Sequence, residues 1–85
     1  MPSYTIEILA LAEAEIAGLS LGVRGRVIRR IDALVANPRP PGVKKLQGGG
    51  DLYRVRVGDY RIIYRIQDAI VTVTVVRVRR RDKAY

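Results

Sequence analysis

The chain has 85 residues and a formal net charge of +8, with 16 Lys and Arg against 8 Asp and Glu, and it contains no His and no Cys. This length allows one domain, spanning residues 1–85, with a thin core. The missing residue types exclude disulfides, thiolate metal sites and histidine bases, so we expect no metal and no cofactor. The positive charge predicts an anionic partner: nucleic acid, an acidic protein or a membrane surface.

The charge and the apolar residues are distributed unevenly along the chain. Every Lys and Arg lies at or after Arg24, whereas the first 23 residues carry three Glu. The apolar runs are only a few residues long, and the N-terminus lacks the charged start and apolar stretch of a signal peptide. We therefore expect no membrane-spanning segment and a cytoplasmic location.

The first half of the chain predicts one strand and two helices. Residues 3–9 alternate as a strand does, and residues 10–19 are rich in the helix formers Ala, Leu and Glu up to a break at Gly18. Ser20 is positioned to cap a second helix through its hydroxyl, and Asn37-Pro38 predicts its end. The apolar stripe of that helix consists of Val23, Val27, Ile28, Ile31, Leu34 and Val35. Residues 38–50, rich in Pro and Gly, predict a loop.

The second half predicts three strands. Residues 52–57, 60–67 and 70–78 alternate with period two, and Gly58-Asp59 and the weaker Asp68-Ala69 predict the turns between them. The expected fold class is α+β: a strand, two helices and a three-strand antiparallel meander, with the helices packed on one sheet face.

Turn position fixes which side chains face each other across the first hairpin. If Gly58-Asp59 is the whole turn, Val57 faces Tyr60 on one side of the sheet, and Arg56 lies directly opposite Arg61 on the other. Like charges in that arrangement are destabilising. Either the arginines are a solvated basic face, or they form a phosphate site, since guanidinium groups match phosphate oxygens two at a time.

The second hairpin predicts that more basic residues reach the same end of the sheet. With Asp68-Ala69 as its turn, Tyr64 faces Val73 and Arg61 faces Val76. The basic C-terminal segment then begins beside the Arg56–Arg61 pair, although such a segment is also typical of a disordered electrostatic arm. Its basic residues are Arg77, Arg79, Arg80, Arg81 and Lys83.

The remaining polar inventory of Arg, Lys and Tyr suits RNA cleavage by the RNA's own 2′-hydroxyl. The nucleophile comes from the substrate, so the protein has to orient the backbone and neutralise charge on the phosphoryl oxygens. Arg is a poor base because it stays protonated, whereas Tyr serves as a base only if its pKa is perturbed. Tyr85, at the chain end, has no packing reason to be aromatic.

Two segments resemble the RelE/ParE toxin superfamily, most closely the RelE-type mRNA interferases. The run GVKKLQGGGDLYRVRVGDYRIIYRI is similar to the family's central block, and RRRDKAY to its closing His-Arg-x-x-x-Tyr pattern with Arg80 in place of His. Together with PRPPG and the two preceding helices, the resemblance covers nearly the whole chain. It implies an α+β toxin that cuts mRNA in the ribosomal A site, leaving a 2′,3′-cyclic phosphate and a 5′-hydroxyl, and a cognate acidic antitoxin that silences it.

The resemblance implies site residues at Arg54, Arg56, Arg61, Arg81 and Tyr85, and the charge of the neighbouring Lys and Arg residues adds the remaining RNA-binding candidates. The expected catalytic residues are Arg56, Arg61, Arg81 and Tyr85, and the expected RNA-binding residues are Lys44, Lys45, Arg54, Arg77, Arg79, Arg80 and Lys83. Family members often have Lys at the first meander strand, and Arg56 cannot easily replace it as a base. Two alternatives therefore stay open. Either Tyr85 is the general base, or the reaction is slow and depends on electrostatic stabilisation.

Two other functions fit parts of the sequence. A ParE-like inhibitor of DNA gyrase would share the fold without needing the four catalytic residues. A non-catalytic RNA-binding module would favour exposed aromatic residues for base stacking, whereas the outer face of the predicted meander carries Arg, Thr and Ile63.

Overall fold

The computed structural model describes residues 3–48 and 50–82, which fold as two helices on a five-stranded mixed sheet. The elements are β1 (Thr5–Ile8), α1 (Ala10–Ala17), α2 (Leu21–Ala33), β2 (Lys44–Lys45), β3 (Leu52–Val57), β4 (Tyr60–Gln67), a 3₁₀ turn (Asp68–Ile70) and β5 (Thr72–Arg80). The strand order is β1-β5-β4-β3-β2. The α+β architecture predicted from the sequence is confirmed.

The helices agree closely with the predicted ones, with three differences. Gly18 is the C-cap of α1, as expected, and Ser20 is the N-cap of α2, but the Ser20 side chain makes no capping hydrogen bond. The helix α2 ends at Ala33, and residues 34–36 form a turn that precedes Asn37-Pro38. Ile28, expected in the apolar stripe, is 43% exposed. No helix in the described part of the chain is long and apolar enough to span a membrane.

The core lies between the helices and one face of the sheet. Its fully buried side chains include Val27 and Leu34 from α2 and its C-terminal end, and Ile62, Tyr64 and Val75 from the sheet. The Tyr64 hydroxyl donates to the Pro38 carbonyl at 2.7 Å, and burial raises the pKa of Tyr64 to about 12. This tyrosine is therefore a structural residue.

The register of the first hairpin is the one that the sequence predicts. Val57 pairs with Tyr60 and Arg56 with Arg61 across the Gly58-Asp59 turn. Gly58 has φ +56°, a left-handed conformation that glycine adopts without a steric penalty. The turn therefore places two arginines face to face on the sheet surface opposite the helices.

The predicted register of the second hairpin is wrong. The turn is not Asp68-Ala69 alone but a 3₁₀ turn followed by Val71 at φ +48°. Tyr64 consequently pairs with Val75, and a register shift between Ile63 and Tyr64 brings Arg61 opposite Arg79. The expected convergence of β5 on the arginine pair is thus found, but with Arg79 rather than Val76 facing Arg61.

Two further strand pairs complete the sheet. Within the segment predicted as a loop, β2 pairs antiparallel with β3, with Lys44 opposite Arg54 and Lys45 opposite Tyr53. At the other edge β1 runs parallel to β5, from Thr5 opposite Thr72 to Ile8 opposite Val75. The second half of β5 extends beyond β1 and has no strand partner on that side among the described residues.

Candidate functional site: a basic pocket on the open sheet face

A pocket of about 190 Å³ lies on the sheet face away from the helices. It is lined by four cationic side chains and one glycine: Lys44, Arg54, Arg56, Arg61 and Gly42. None of the four cations makes an ion pair with a carboxylate of the described residues. Such a cluster of positive charge is a site for an anion.

Three adjacent strands bring these four side chains together. Lys44 on β2 is the register partner of Arg54, and Arg56 on β3 is the partner of Arg61 on β4. Alternate residues of a strand share a face, so Arg54 and Arg56 point to the same side while Val55 between them is buried in the core. The Gly58-Asp59 turn and the short pairing of β2 thus build the pocket.

The Nε atom of Arg61 is buried and has no hydrogen-bond partner among the described residues. A buried donor without a partner costs about 1–3 kcal/mol. The neighbouring Arg56 adds like-charge repulsion directly opposite. Both unfavourable terms would be relieved by an anion in the pocket, because a phosphate oxygen can accept from several guanidinium groups at once.

The floor of the arginine face is apolar. Leu52 and Ile63 lie on this face, opposite Arg65 and Arg54 respectively, and they are only 7% and 3% exposed. Ile63 was expected to be exposed here, so this expectation is wrong. Two buried apolar side chains beneath a cationic surface lower the local dielectric constant, which strengthens the attraction between the arginines and an anion.

The arginines of β5 lie beside the pocket but do not line it. Arg79 is opposite Arg61 in register, and its Nε is 3.8 Å from a carboxylate oxygen of Glu15 on α1. Arg77 forms a closer pair with the same carboxylate, with Nη2 at 2.9 Å. Glu15 was not identified from the sequence, since no local pattern reveals a contact across 62 residues.

The other predicted site residues lie apart from the pocket lining or outside the described part of the chain. Arg81 is exposed, and its backbone N–H donates to the Asp59 carbonyl at 2.8 Å, which ties it to the turn at the pocket's end of the sheet. Arg80 pairs with Asp82. Lys45 lies opposite Tyr53 and therefore on the other face from Lys44. Lys83 and Tyr85 lie outside the described residues.

The structure therefore brings some of the predicted site residues together and not others. Arg56 and Arg61 share one pocket with Arg54 and Lys44, as a phosphate site requires. Arg77 and Arg79 lie against a carboxylate instead. The pocket can bind a phosphate group and stabilise additional negative charge on its oxygens.

Comparison with known protein families finds one family whose model matches almost the whole length of this chain. A family model described as "ParE toxin of type II toxin-antitoxin system, parDE" matches residues 6–85. A curated protein of Methanocaldococcus jannaschii, named as a candidate toxin RelE1, is 35% identical over an alignment of 60 residues, and the match covers 65% of this chain. The chain spans less than two thirds of that relative's length, 64%.

Solved structures of toxin–antitoxin complexes share the fold. The archaeal RelE–RelB complex from Pyrococcus horikoshii has a chain that is 30% identical, with a TM-score of 0.84 and coverage of 96% of this chain and 99% of that one. A chain of the RelBE2 complex from Mycobacterium tuberculosis is 27% identical, with a TM-score of 0.81 and coverage of 93% and 99%. A chain of the RelBE complex of E. coli is 25% identical, with a TM-score of 0.82 and coverage of 95% and 100%.

Proposed function

Because the chain belongs to the RelE/ParE superfamily of type II toxin–antitoxin toxins, we propose that it is a RelE-type toxin that cleaves mRNA in the ribosomal A site. The proposed reaction needs no metal. Because the proposed substrate is mRNA on the ribosome, we propose a cytoplasmic location. One observation carries the proposal: Lys44, Arg54, Arg56 and Arg61 line a single pocket. The similarity to solved RelE toxins favours the RelE type.

The proposed reaction uses the substrate's own nucleophile. The 2′-oxygen of one nucleotide forms a bond to the adjacent phosphorus while the bond from phosphorus to the 5′-oxygen of the next nucleotide breaks. The products are a 2′,3′-cyclic phosphate and a 5′-hydroxyl. One proton leaves the 2′-hydroxyl and one reaches the departing 5′-oxygen, so the reaction is balanced without any co-reactant. DNA lacks the 2′-hydroxyl and is not cleaved.

The pocket residues would act on the phosphate rather than on the protons. Arg56 and Arg61 would donate to the non-bridging oxygens, where negative charge increases in the transition state. Lys44 and Arg54 would hold the backbone of the RNA in line for attack. We assign the proton transfer to Tyr85 and a further charge contact to Arg81, which lies near the same turn.

An acidic antitoxin is the proposed protein partner. The similar chains from P. horikoshii, M. tuberculosis and E. coli are found in toxin–antitoxin complexes, and this chain carries a net charge of +8. A flexible acidic segment that folds on contact would cover the basic face and close the pocket.

The experiment that tests the proposed function is pulse labelling after expression of the protein alone in bacterial cells. We expect incorporation of labelled amino acids to stop before incorporation of labelled thymidine, and mRNA fragments to end in 2′,3′-cyclic phosphates. Arg56→Ala should abolish both effects. Arg65→Ala is the matched control, because Arg65 lies on β4 outside the pocket and pairs with Asp51.

A ParE-type inhibitor of DNA gyrase is the second candidate, since the matching family model is described as a ParE toxin. This function would stop DNA synthesis first and leave mRNA intact. Thymidine incorporation that falls while protein synthesis continues would therefore reject the endoribonuclease and support the gyrase inhibitor. Binding of RNA without cleavage or growth arrest would instead indicate a non-catalytic RNA-binding module.

A further inference from the structure

Glu15 is a carboxylate placed inside the most basic region of the molecule. It projects from α1, and its side chain is 19% exposed. Both of its oxygens accept from Arg77 Nε at 3.2 Å, and Arg77 Nη2 donates to Oε2 at 2.9 Å. Arg79 Nε lies 3.8 Å from Oε2. One carboxylate thus contacts two of the arginines that follow the sheet toward the pocket.

The position of Glu15 is fixed by the backbone as well as by charge. Among the residues that the structure describes, β1 pairs with residues 72–75 of β5, and no strand pairs with the backbone of β5 beyond them at that edge. Glu15 Oε1 accepts from the Val78 N–H at 2.8 Å and so takes the place of the missing strand. Burial alone would raise the pKa of Glu15, but these hydrogen bonds and the charges of Arg77 and Arg79 lower it overall. The carboxylate is therefore ionised at neutral pH.

The consequence is a division between two groups of arginines on one sheet. Arg56 and Arg61 have no carboxylate partner among the described residues and line the pocket. At the opposite edge of β5, Arg77 is hydrogen-bonded to Glu15 and Arg79 lies within ion-pair distance of it at 3.8 Å, with 23% and 28% of their side chains exposed. An arginine already bonded to a carboxylate offers less charge to a phosphate, because the two anions compete for the same donors.

We propose that Glu15 is a specificity determinant that withholds Arg77 and Arg79 from nucleic-acid phosphates and so restricts strong phosphate binding to the pocket. The inference rests on the proposed function, since it takes RNA to be the ligand. Without Glu15 the two arginines would become additional, sequence-independent phosphate contacts. The protein would then bind any single-stranded RNA more tightly, and the pocket would receive its substrate less selectively.

The salt dependence of binding measures the number of phosphate contacts. For single strands, each neutralised phosphate adds about 0.7 to the slope of log affinity against log salt concentration. The probe is a short 2′-O-methyl oligouridylate, which the 2′-hydroxyl reaction cannot cleave. We expect Glu15→Gln to steepen the slope by about 0.7 to 1.4, for one or two released arginines, and to tighten binding at low salt.

Glu13→Gln is the matched control. It makes the same change in net charge on the same helix, but Glu13 is exposed and makes no ion pair with an arginine of the described residues. We expect its slope to remain close to that of the unmodified protein. Equal slopes for the Glu15 and Glu13 variants would overturn the proposal, because charge alone would then account for the effect.

A second variant keeps the test decisive if Glu15→Gln weakens the fold. Arg79→Gln in the otherwise unmodified protein should leave the slope unchanged, whereas Arg56→Gln should reduce it by about 0.7. A reduction of that size for Arg79→Gln would show that Arg79 already contacts phosphate and would overturn the proposal. The binding assay needs no ribosome, so loss of the cleavage activity would reject the proposed function without deciding the role of Glu15.

Discussion

Arg61 lies where stability alone would not place an arginine. Its Nε is buried without a partner among the described residues, and Arg56 and Arg79 are its register partners on the two neighbouring strands. Each of these features is unfavourable in the free protein. They become favourable only with an anion present, so the residue's contribution should be to phosphate binding and to the reaction rather than to folding.

We expect Arg61→Ala to lower the single-turnover cleavage rate of ribosome-bound mRNA by roughly 10²-fold, the typical effect of removing one charge-stabilising contact. The melting temperature should stay the same or rise slightly, because the change removes like-charge repulsion. Arg65→Ala, on the same strand, should retain near-normal cleavage. Near-normal cleavage by Arg61→Ala, or a rate loss that merely follows a loss of folded protein, would contradict the phosphate-site assignment.

Glu15 gives the fold a defined response to acid. Its folded-state pKa is lowered, so the stability that it contributes is fully present above its unfolded pKa and is lost as pH falls through the folded pKa. We expect Glu15→Gln to reduce the free energy of unfolding at pH 7 by roughly 1.5–3 kcal/mol, the range for hydrogen bonds to a charged group. Denaturant titrations from pH 7 down to about pH 2 should show the two proteins converging below about pH 4, near the reference value for Glu. A difference that is independent of pH would contradict this assignment.

At the scale of the elements, the Gly58-Asp59 turn determines the geometry of the pocket. It sets the register that pairs Arg56 with Arg61. Gly58 has φ +56°, and a Cβ at this position would lie 2.6 Å from Arg26 Nη2. The arginine side chain can move aside, but the left-handed backbone conformation cannot be relieved locally.

We expect Gly58→Ala to destabilise the protein by roughly 1–2 kcal/mol, the cost of the left-handed conformation for a residue with a Cβ, and to reduce cleavage because the arginine pair loses its fixed register. Gly22→Ala is the matched control: it lies in α2, where an added Cβ meets no atom within 4 Å. This change should stabilise the protein by roughly 0.5 kcal/mol through the unfolded chain. Thermal melts and single-turnover cleavage measure both effects. Equal effects of the two substitutions would show that the turn does not set the site.

The two hairpins explain how far the sequence predicts the fold. The first register was predictable because a Gly-Asp turn and strict alternation in both strands agree. The second was not, because Val71, a β-branched residue, occupies a positive φ that its type disfavours, and a shift at Ile63 and Tyr64 adds to the displacement. Two-residue β2 is likewise too short for any periodicity.

The positions of the site residues could be predicted only where the register of their strands could be predicted. The cationic pocket followed from the first hairpin, whereas the contacts of Glu15 depend on packing between α1 and the far end of β5. Only the three-dimensional structure separates the arginines that line the pocket from those bound to a carboxylate. Composition and alternation treat all of them as one basic face.

At the scale of the whole molecule, the positive charge should govern association with an acidic partner. We expect the association rate constant with the cognate antitoxin to fall steeply as salt rises, because long-range steering is screened within about 10 Å at 0.1 M. The dissociation rate should change less. Stopped-flow measurements at a series of salt concentrations decide this, and an association rate that does not vary with salt would remove the electrostatic part of the antitoxin proposal.

The parallel pairing of β1 with β5 affects how the protein can fold during its synthesis. β5 is the last of the five strands to be synthesised, and it lies between β1 and β4. Before β5 leaves the ribosome, the nascent chain can form the hairpin of β3 and β4, but β1 has no strand to pair with. Pairing between such distant parts of a chain is slow, because the entropy of closing the long loop must be lost first. Pairing of β1, and with it the completed sheet, would thus wait until β5 has emerged from the ribosome.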